Sequence, residues 1–289
     1  MSKKYVLYNP YSNNCRCEAQ ARELAVKLGG EQLEFIDMTK IESYPELWAG
    51  LSADDGVIIC GGDGTLNRLV NDTDIDKLEN PVYYYAAGSG NDFARDIGLK
   101  EGEPPVQINK YLKDLPHVYV NGMERKFING VGYGLDGYCC EVGDDLRGKT
   151  DKPINYTMIA IKGLLFKYKR ANATVTVDGV TKEYKKVCVA PTMNGRYYGG
   201  GMIPTPEQDR LNPQRRITLM VFYGAGKLGT LMAFPTIFKG ELAKKTKIVD
   251  IIEGMDVTVK FDRPTALQID GETVRGVTEY RAVSSKLCK

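Results

Sequence analysis

Histidine is nearly missing from this sequence. His117 is the single one among 289 residues, so Ser-His-Asp catalysis, Cys-His catalysis and multi-histidine metal sites would all have to use it. It follows Pro116 at an expected element boundary, where a structural or exposed role outweighs a catalytic one. Excess charge is missing as well: 39 Lys and Arg nearly cancel 37 Asp and Glu, leaving a formal net of +2. No global cationic field points to nucleic acid, and attraction to a membrane has to come from a local patch. The seven cysteines (15, 17, 60, 139, 140, 188 and 288) are odd in number and lack paired CxxC spacing, so reduced thiols in the cytoplasm are expected. No run approaches the length of a spanning helix, and MSKKYVLYNP holds too short an apolar stretch for a signal peptide, which leads us to expect a soluble protein. What the chain does have is 43% hydrophobic residues, enough for a substantial core in one large domain or two.

Short apolar strands alternate with turns and amphipathic helices over the first part of the chain, the rhythm of a doubly wound α/β sheet. Strands are expected at Tyr5 to Tyr8, Leu33 to Met38, Val57 to Cys60 and Val82 to Ala86. Helices are expected near Glu18 to Leu28, Tyr44 to Leu51, Leu66 to Val70 and Asp92 to Ile97. From about Tyr119 longer alternating strands take over, with Asp178-Gly179 as a hairpin turn inside ATVTVDGVTKEYKKVCVA. Two helical insertions interrupt them, around Asn155 to Tyr168 and Lys227 to Phe238. The expected division is an α/β domain at 1–118 and a β-rich domain at 119–276, with the last strand, within 277–289, returning to the first domain.

The sharpest chemical signal is Gly61-Gly62-Asp63-Gly64-Thr65, between the strand VIIC and the helical pattern LNRLV. Glycines let backbone N–H groups approach a phosphate, and the following helix offers its positive end. Thr65 adds a hydroxyl donor. Asp63 is the odd member, because a carboxylate beside a triphosphate needs a cation such as Mg²⁺ between them. A second turn of the same logic is Gly88-Ser89-Gly90-Asn91-Asp92, where Asp92 is open to either magnesium or helix capping. A third, Asn9-Pro10-Tyr11-Ser12-Asn13, supplies the short polar side chains of Asn9 and Ser12.

Together these segments resemble the diacylglycerol kinase catalytic family, which includes sphingosine, ceramide and bacterial lipid kinases, over nearly the whole chain. GGDGT is shared with NAD kinases and, more loosely, phosphofructokinases; GSGNDFAR is more specific. NGVGYGLDG (129–137), NGRYYGGGMIPTP (194–206) and LQIDGE (267–272) look like the family's signatures in its β-rich domain. The resemblance implies an NAD kinase- and phosphofructokinase-like α/β domain followed by a β-sandwich. It also implies ATP- and Mg²⁺-dependent transfer of the γ-phosphoryl group to diacylglycerol or a similar lipid alcohol. Asp270 would be the general base, with Asp63 the competing candidate. Glu272 would join the nucleotide-binding residues named above, and Asp63, Asp92, Asp209 and Leu211 would serve magnesium. Two departures stand out: Asn13 replaces a loop glycine, and Arg210 replaces a glycine in the segment that helps bacterial members hold a structural magnesium.

A lipid substrate is reached at the inner membrane surface, and two segments mix apolar bulk with basic residues: Ile159 to Arg170 and Thr230 to Lys247. Core-facing helices with solvated lysines are the plainer explanation of both. Two other functions remain open, an NAD kinase-like soluble kinase and a nucleotide- or lipid-binding module without turnover. The residues decide neither the lipid nor the oligomeric state, a homodimer included.

Overall fold

Runs that are apolar without interruption become the inner strands. The computed structural model describes residues 3–29, 32–147, 149 and 154–288, in two compact units, Met1–Leu115 and Pro116–Lys289. In the first, the strands are β1 (Lys4–Tyr8), β2 (Leu33–Asp37), β3 (Gly56–Gly61), β4 (Val82–Ala86) and β5 (Val106–Gln107), in the spatial order β2-β1-β3-β4-β5. Every residue of β3 is buried, because parallel partners flank it and both sheet faces are covered. Helix Cys17–Lys27 lays Cys17, Ala21 and Leu24 onto the sheet, a spacing that keeps them on one face. The Cys17 thiol donates to the Cys60 carbonyl at 3.2 Å, and the two sulfurs lie 3.6 Å apart. Parallel strands that end together leave their turns at one edge, which is where the Gly-rich segments lie.

The second unit is a ten-stranded, largely antiparallel sheet. Its strands are β6 (His117–Val120), β7 (Met123–Lys126), β8 (Gly130–Tyr133), β9 (Ala171–Val177), β10 (Val180–Val187), β11 (Thr192–Met193), β12 (Ile217–Phe222), β13 (Val249–Gly254), β14 (Asp256–Ile269) and β15 (Glu272–Val283). β14 explains the sandwich character. Its first half, Val257 to Phe261, pairs with β9, and its end, Leu267 to Ile269, pairs with β8, so the sheet forks along a single strand. Side chains from both branches, including Val131, Tyr133, Val175, Val259, Phe261 and Tyr280, share one core.

One expectation needs correction. The last strand does not return to the first unit: β15 pairs with β14 and β6 inside the second, where its buried Val277, Tyr280 and Ala282 complete the core. The glycine-rich segment after Asn129 runs from strand into helix. Gly134, at φ +114, turns the chain out of β8 into helix Leu135–Arg147, which buries Leu135, Cys139 and Gly143. The first insertion is helical as expected, an α-helix over Tyr156–Lys162 that widens into a π-helix over Gly163–Lys167. Cys17, Cys60, Cys139 and Cys188 are buried, whereas Cys15 and Cys288 are exposed. Among the described residues no helix is long and apolar enough to cross a membrane.

Candidate active site

In the first unit the three polar turns are fastened to one another. Asn9 shapes the first, accepting the Tyr11 amide on Oδ1 and the Ser12 amide on its carbonyl. The Ser12 hydroxyl lies 3.2 Å from that of Thr65 in the second turn. Asn13 adopts φ +51, the left-handed conformation that glycine takes most easily and asparagine tolerates, so the turn is kept. Gly61 has no room for a side chain: a Cβ there would sit 2.5 Å from the Thr65 hydroxyl. Gly62 and Gly88 are pressed together, and a Cβ on Gly88 would lie 2.3 Å from the Gly62 α-carbon. Gly64 and Ser89 are exposed, and no atom would come within 4 Å of a Cβ on Gly64. Gly62 caps helix Asp63–Asp72, whose ten residues align their dipoles behind this opening.

Asp63 has a job that sequence reading missed. Its two oxygens accept the backbone amides of Asp92, at 2.9 Å, and Phe93, at 2.8 Å, and so cap the short helix Asp92–Asp96 from another turn. Asp92 is therefore not that helix's cap; it is buried, with Arg95 3.4 Å from its Oδ1. Asn91, at φ +53, closes the Gly88 turn by accepting from Gly88 N and donating to Gly88 O. Gly90 lies beside the Asp63 carboxylate, 3.3 Å from where its own Cβ would be.

In the second unit, Asp270-Gly271 is a two-residue hairpin, with φ of +47 and +95, closed by the pair Ile269 and Glu272. Its carboxylate is not left over from that turn. Oδ2 accepts the Ile128 amide at 2.6 Å, and Oδ1 accepts those of Asn129 and Gly130 at 2.8 and 2.9 Å. Glu272 is paired with Arg125 at 2.5 Å on the exposed side of the ribbon. Asp209 is exposed and accepts the Leu211 amide on Oδ1, so this pair closes its own turn. Between them Arg210 is buried, with its guanidinium on the Ile128 carbonyl and the Asn129 side chain. That donor set does not fit the expected structural magnesium. A fixed cation already lies in the segment, and among the described residues no group of three or more His, Cys, Asp or Glu side chains converges to hold a metal.

Asp136, in the same unit, went unnoticed inside NGVGYGLDG. It is buried against β8, where a Cβ on Gly132 would meet its Oδ2 at 2.1 Å and Gln268 Nε2 at 2.5 Å. Oδ1 takes the Gly137 amide, but Oδ2 has no hydrogen-bond partner. Burial, and then the Asp136 charge, push the Tyr198 hydroxyl well above its usual range. Burial pushes the carboxyl up to about 6. The presence of an Asp two residues after Gly134, with no cationic neighbour in the sequence, was the available signal.

The two apolar and basic segments prove to be neighbours. Lys227 Nζ donates to the Leu165 carbonyl at 2.8 Å, and Arg170 Nη1 donates to the Ala225 carbonyl and the Thr230 hydroxyl. Leu164 is buried, and Arg170 ties the two segments together. Met158, Ile161, Phe166, Leu228, Met232 and Phe238 are exposed instead, and Phe166 reaches 80%.

Residues 3–119 match the diacylglycerol kinase catalytic domain, and residues 129–284 match the YegS C-terminal NAD kinase beta sandwich-like domain. A Bacillus subtilis relative named "Putative lipid kinase YtlR" is 26% identical over 79% of this chain and 77% of its own length. A diacylglycerol kinase of Mycobacterium tuberculosis is 29% identical over 64% of this chain and 60% of its own. A Bacillus anthracis diacylglycerol kinase structure superposes with a TM-score of 0.62 at 15% identity, covering 98% of this chain and 94% of that one, a likeness of fold.

Proposed function

Because this chain belongs to the family of the YegS C-terminal NAD kinase beta sandwich-like domain and also matches the diacylglycerol kinase catalytic domain, we propose that it moves the γ-phosphoryl group of ATP to the hydroxyl of diacylglycerol or a similar long-chain lipid alcohol. The observation that carries this reading is that family matches account for both units, 3–119 and 129–284, rather than the Gly-rich turn alone.

Phosphoryl transfer asks a protein mainly for alignment and charge neutralisation. The lip formed by Gly62, Gly64 and Ser89, with a helix N-terminus behind it, suits the phosphates of a nucleotide. Bound magnesium would neutralise charge on those phosphates; Asp63 would hold it through water, since both its oxygens already accept amides, and Asp92 is next to it. A lipid hydroxyl is a poor nucleophile until its proton has an acceptor. Asp270 is suited to take it, because three amides fix its carboxylate without consuming all of its lone pairs. The exposed apolar residues around Phe166 and Leu228, with Lys162, Lys167 and Lys169 nearby, suit brief contact with an anionic bilayer, where the lipid is met.

One incubation tests this: γ-labelled ATP, magnesium and vesicles containing diacylglycerol, monoacylglycerol, undecaprenol and a sphingoid base, followed by separation of the lipids. Label in one lipid is the expected result. Label in NAD instead would make the chain a soluble-substrate kinase, and ATP binding without label anywhere would make it a binding module.

A further inference from the structure

We propose that in this chain the Arg210 guanidinium, not a divalent cation, fixes the Ile128–Gly130 loop that grips Asp270, making Arg210 a positioning residue. The hydrogen bonds form a continuous path. Arg210 Nη1 donates to the Ile128 carbonyl at 3.2 Å and Nη2 to Asn129 Oδ1 at 3.1 Å. Asn194 Nδ2 reaches the same carbonyl at 2.9 Å. That carbonyl and the Asn129 amide are two ends of one peptide group, and the amide end donates to Asp270 Oδ1 at 2.8 Å. A cation on the oxygen end polarises the group and strengthens its N–H as a donor. Arg210 is 5% exposed and Asn129 2%, so little water competes for these bonds. The main chain of Arg210 is held as well, its carbonyl accepting from Arg215 Nη1 at 2.8 Å.

The chemistry favours a guanidinium in this place over a metal. It keeps its charge at any pH the protein survives, and its planar fork reaches two acceptors at once. The carboxylate next to it in sequence, Asp209, is exposed and turned onto the Leu211 amide.

The kinetic part of the test rests on the reading of Asp270 as proton acceptor; the structural part does not. Hydrogen exchange is measured by mass spectrometry on the full chain, on Arg210→Met and on Arg210→Lys, each with magnesium and with EDTA. In Arg210→Met the Ile128–Gly130 amides should exchange about ten- to hundred-fold faster, the scale of losing buried hydrogen bonds to a charged group. Arg210→Lys should fall between, since an ammonium brings the charge without the fork. Exchange in the parent should be the same with magnesium and EDTA. Lipid phosphorylation by Arg210→Met should lose about ten-fold or more in kcat while KM for ATP stays within about two-fold. Unchanged exchange in Arg210→Met, or parental protection that falls when EDTA replaces magnesium, would overturn the proposal. If Arg210→Met does not fold, Arg210→Lys decides, and parental exchange rates in it count against the proposal. If the parent phosphorylates no lipid, the functional reading fails and the exchange results still settle the role of Arg210.

Discussion

Asp63 and Asp270 share a habit: each carboxylate grips backbone amides of a segment far away in sequence, two for Asp63 and three for Asp270. Replacing Asp270 by Asn therefore does more than delete the proposed proton acceptor, because one of the three amides would face an NH₂ group. We expect turnover to drop by about 10²- to 10⁴-fold and stability by about 1–3 kcal/mol, with KM for ATP nearly constant. Turnover close to the parent's would remove Asp270 from the chemistry. Asp136 behaves in the opposite way. Its carboxyl is held near 6 rather than 3.8, so between those pH values the native state binds more protons than the unfolded one, and stability falls as pH rises. Above that window the cost is about 3 kcal/mol. Asp136→Asn, which keeps an acceptor for Gly137, should raise the unfolding midpoint at pH 7.5, and the gain should disappear below about pH 4. An equal gain at both pH values would mean that charge burial is not its origin. Sequence could name these residue types and their turns. It could not show the grips, since Asp63 caps a helix 29 residues away and Asp270 reaches 140 residues back to Gly130.

Elements were legible where local chemistry decides them. Asp178-Gly179 reads as a hairpin because both residues must take positive φ, and they do, at +47 and +83. Helix Leu135–Arg147 was hidden, because its start carries glycines that also suit a strand and its register is set by packing on β14. The Gly-rich segments were legible as turns from strand to helix, but their mutual contact was not. That contact makes a sharp comparison. A methyl group on Gly88 meets the Gly62 α-carbon at 2.3 Å, backbone that has no side-chain freedom with which to give way, whereas one on Gly64 meets nothing within 4 Å. Gly88→Ala should cost about 1–3 kcal/mol in unfolding experiments. Gly64→Ala should be neutral or raise stability by up to about 1 kcal/mol. Equal stabilities for the two variants would show that the turns do not touch as described.

At the scale of the whole molecule, a net charge of +2 gives little long-range pull toward an anionic surface. The proposed docking is therefore local, and salt should reveal it: at about 0.15 M the reach of such attraction is roughly 8 Å. Activity on anionic vesicles should fall as salt rises, and activity in neutral micelles should change less. Changing Lys162, Lys167 and Lys169 together to Gln removes about 1 kcal/mol each near the surface, and should lower vesicle activity at low salt by about ten- to hundred-fold. Arg170 stays, because it ties the two segments together. Full vesicle activity in that variant, with no salt dependence in the parent, would make the segment an ordinary solvated helix. The cysteines offer a further handle on the whole chain. Cys17 and Cys60 are buried in the first unit and Cys139 and Cys188 in the second, where Cys140 is half-buried. A thiol reagent such as iodoacetamide should modify Cys15 and Cys288 quickly and the four buried ones only when their own unit opens. During gentle denaturation the intact mass should then climb by two adducts when the first unit unfolds and by up to three, Cys140 included, when the second does, so that the order in which the two halves come apart can be counted in sulfur atoms.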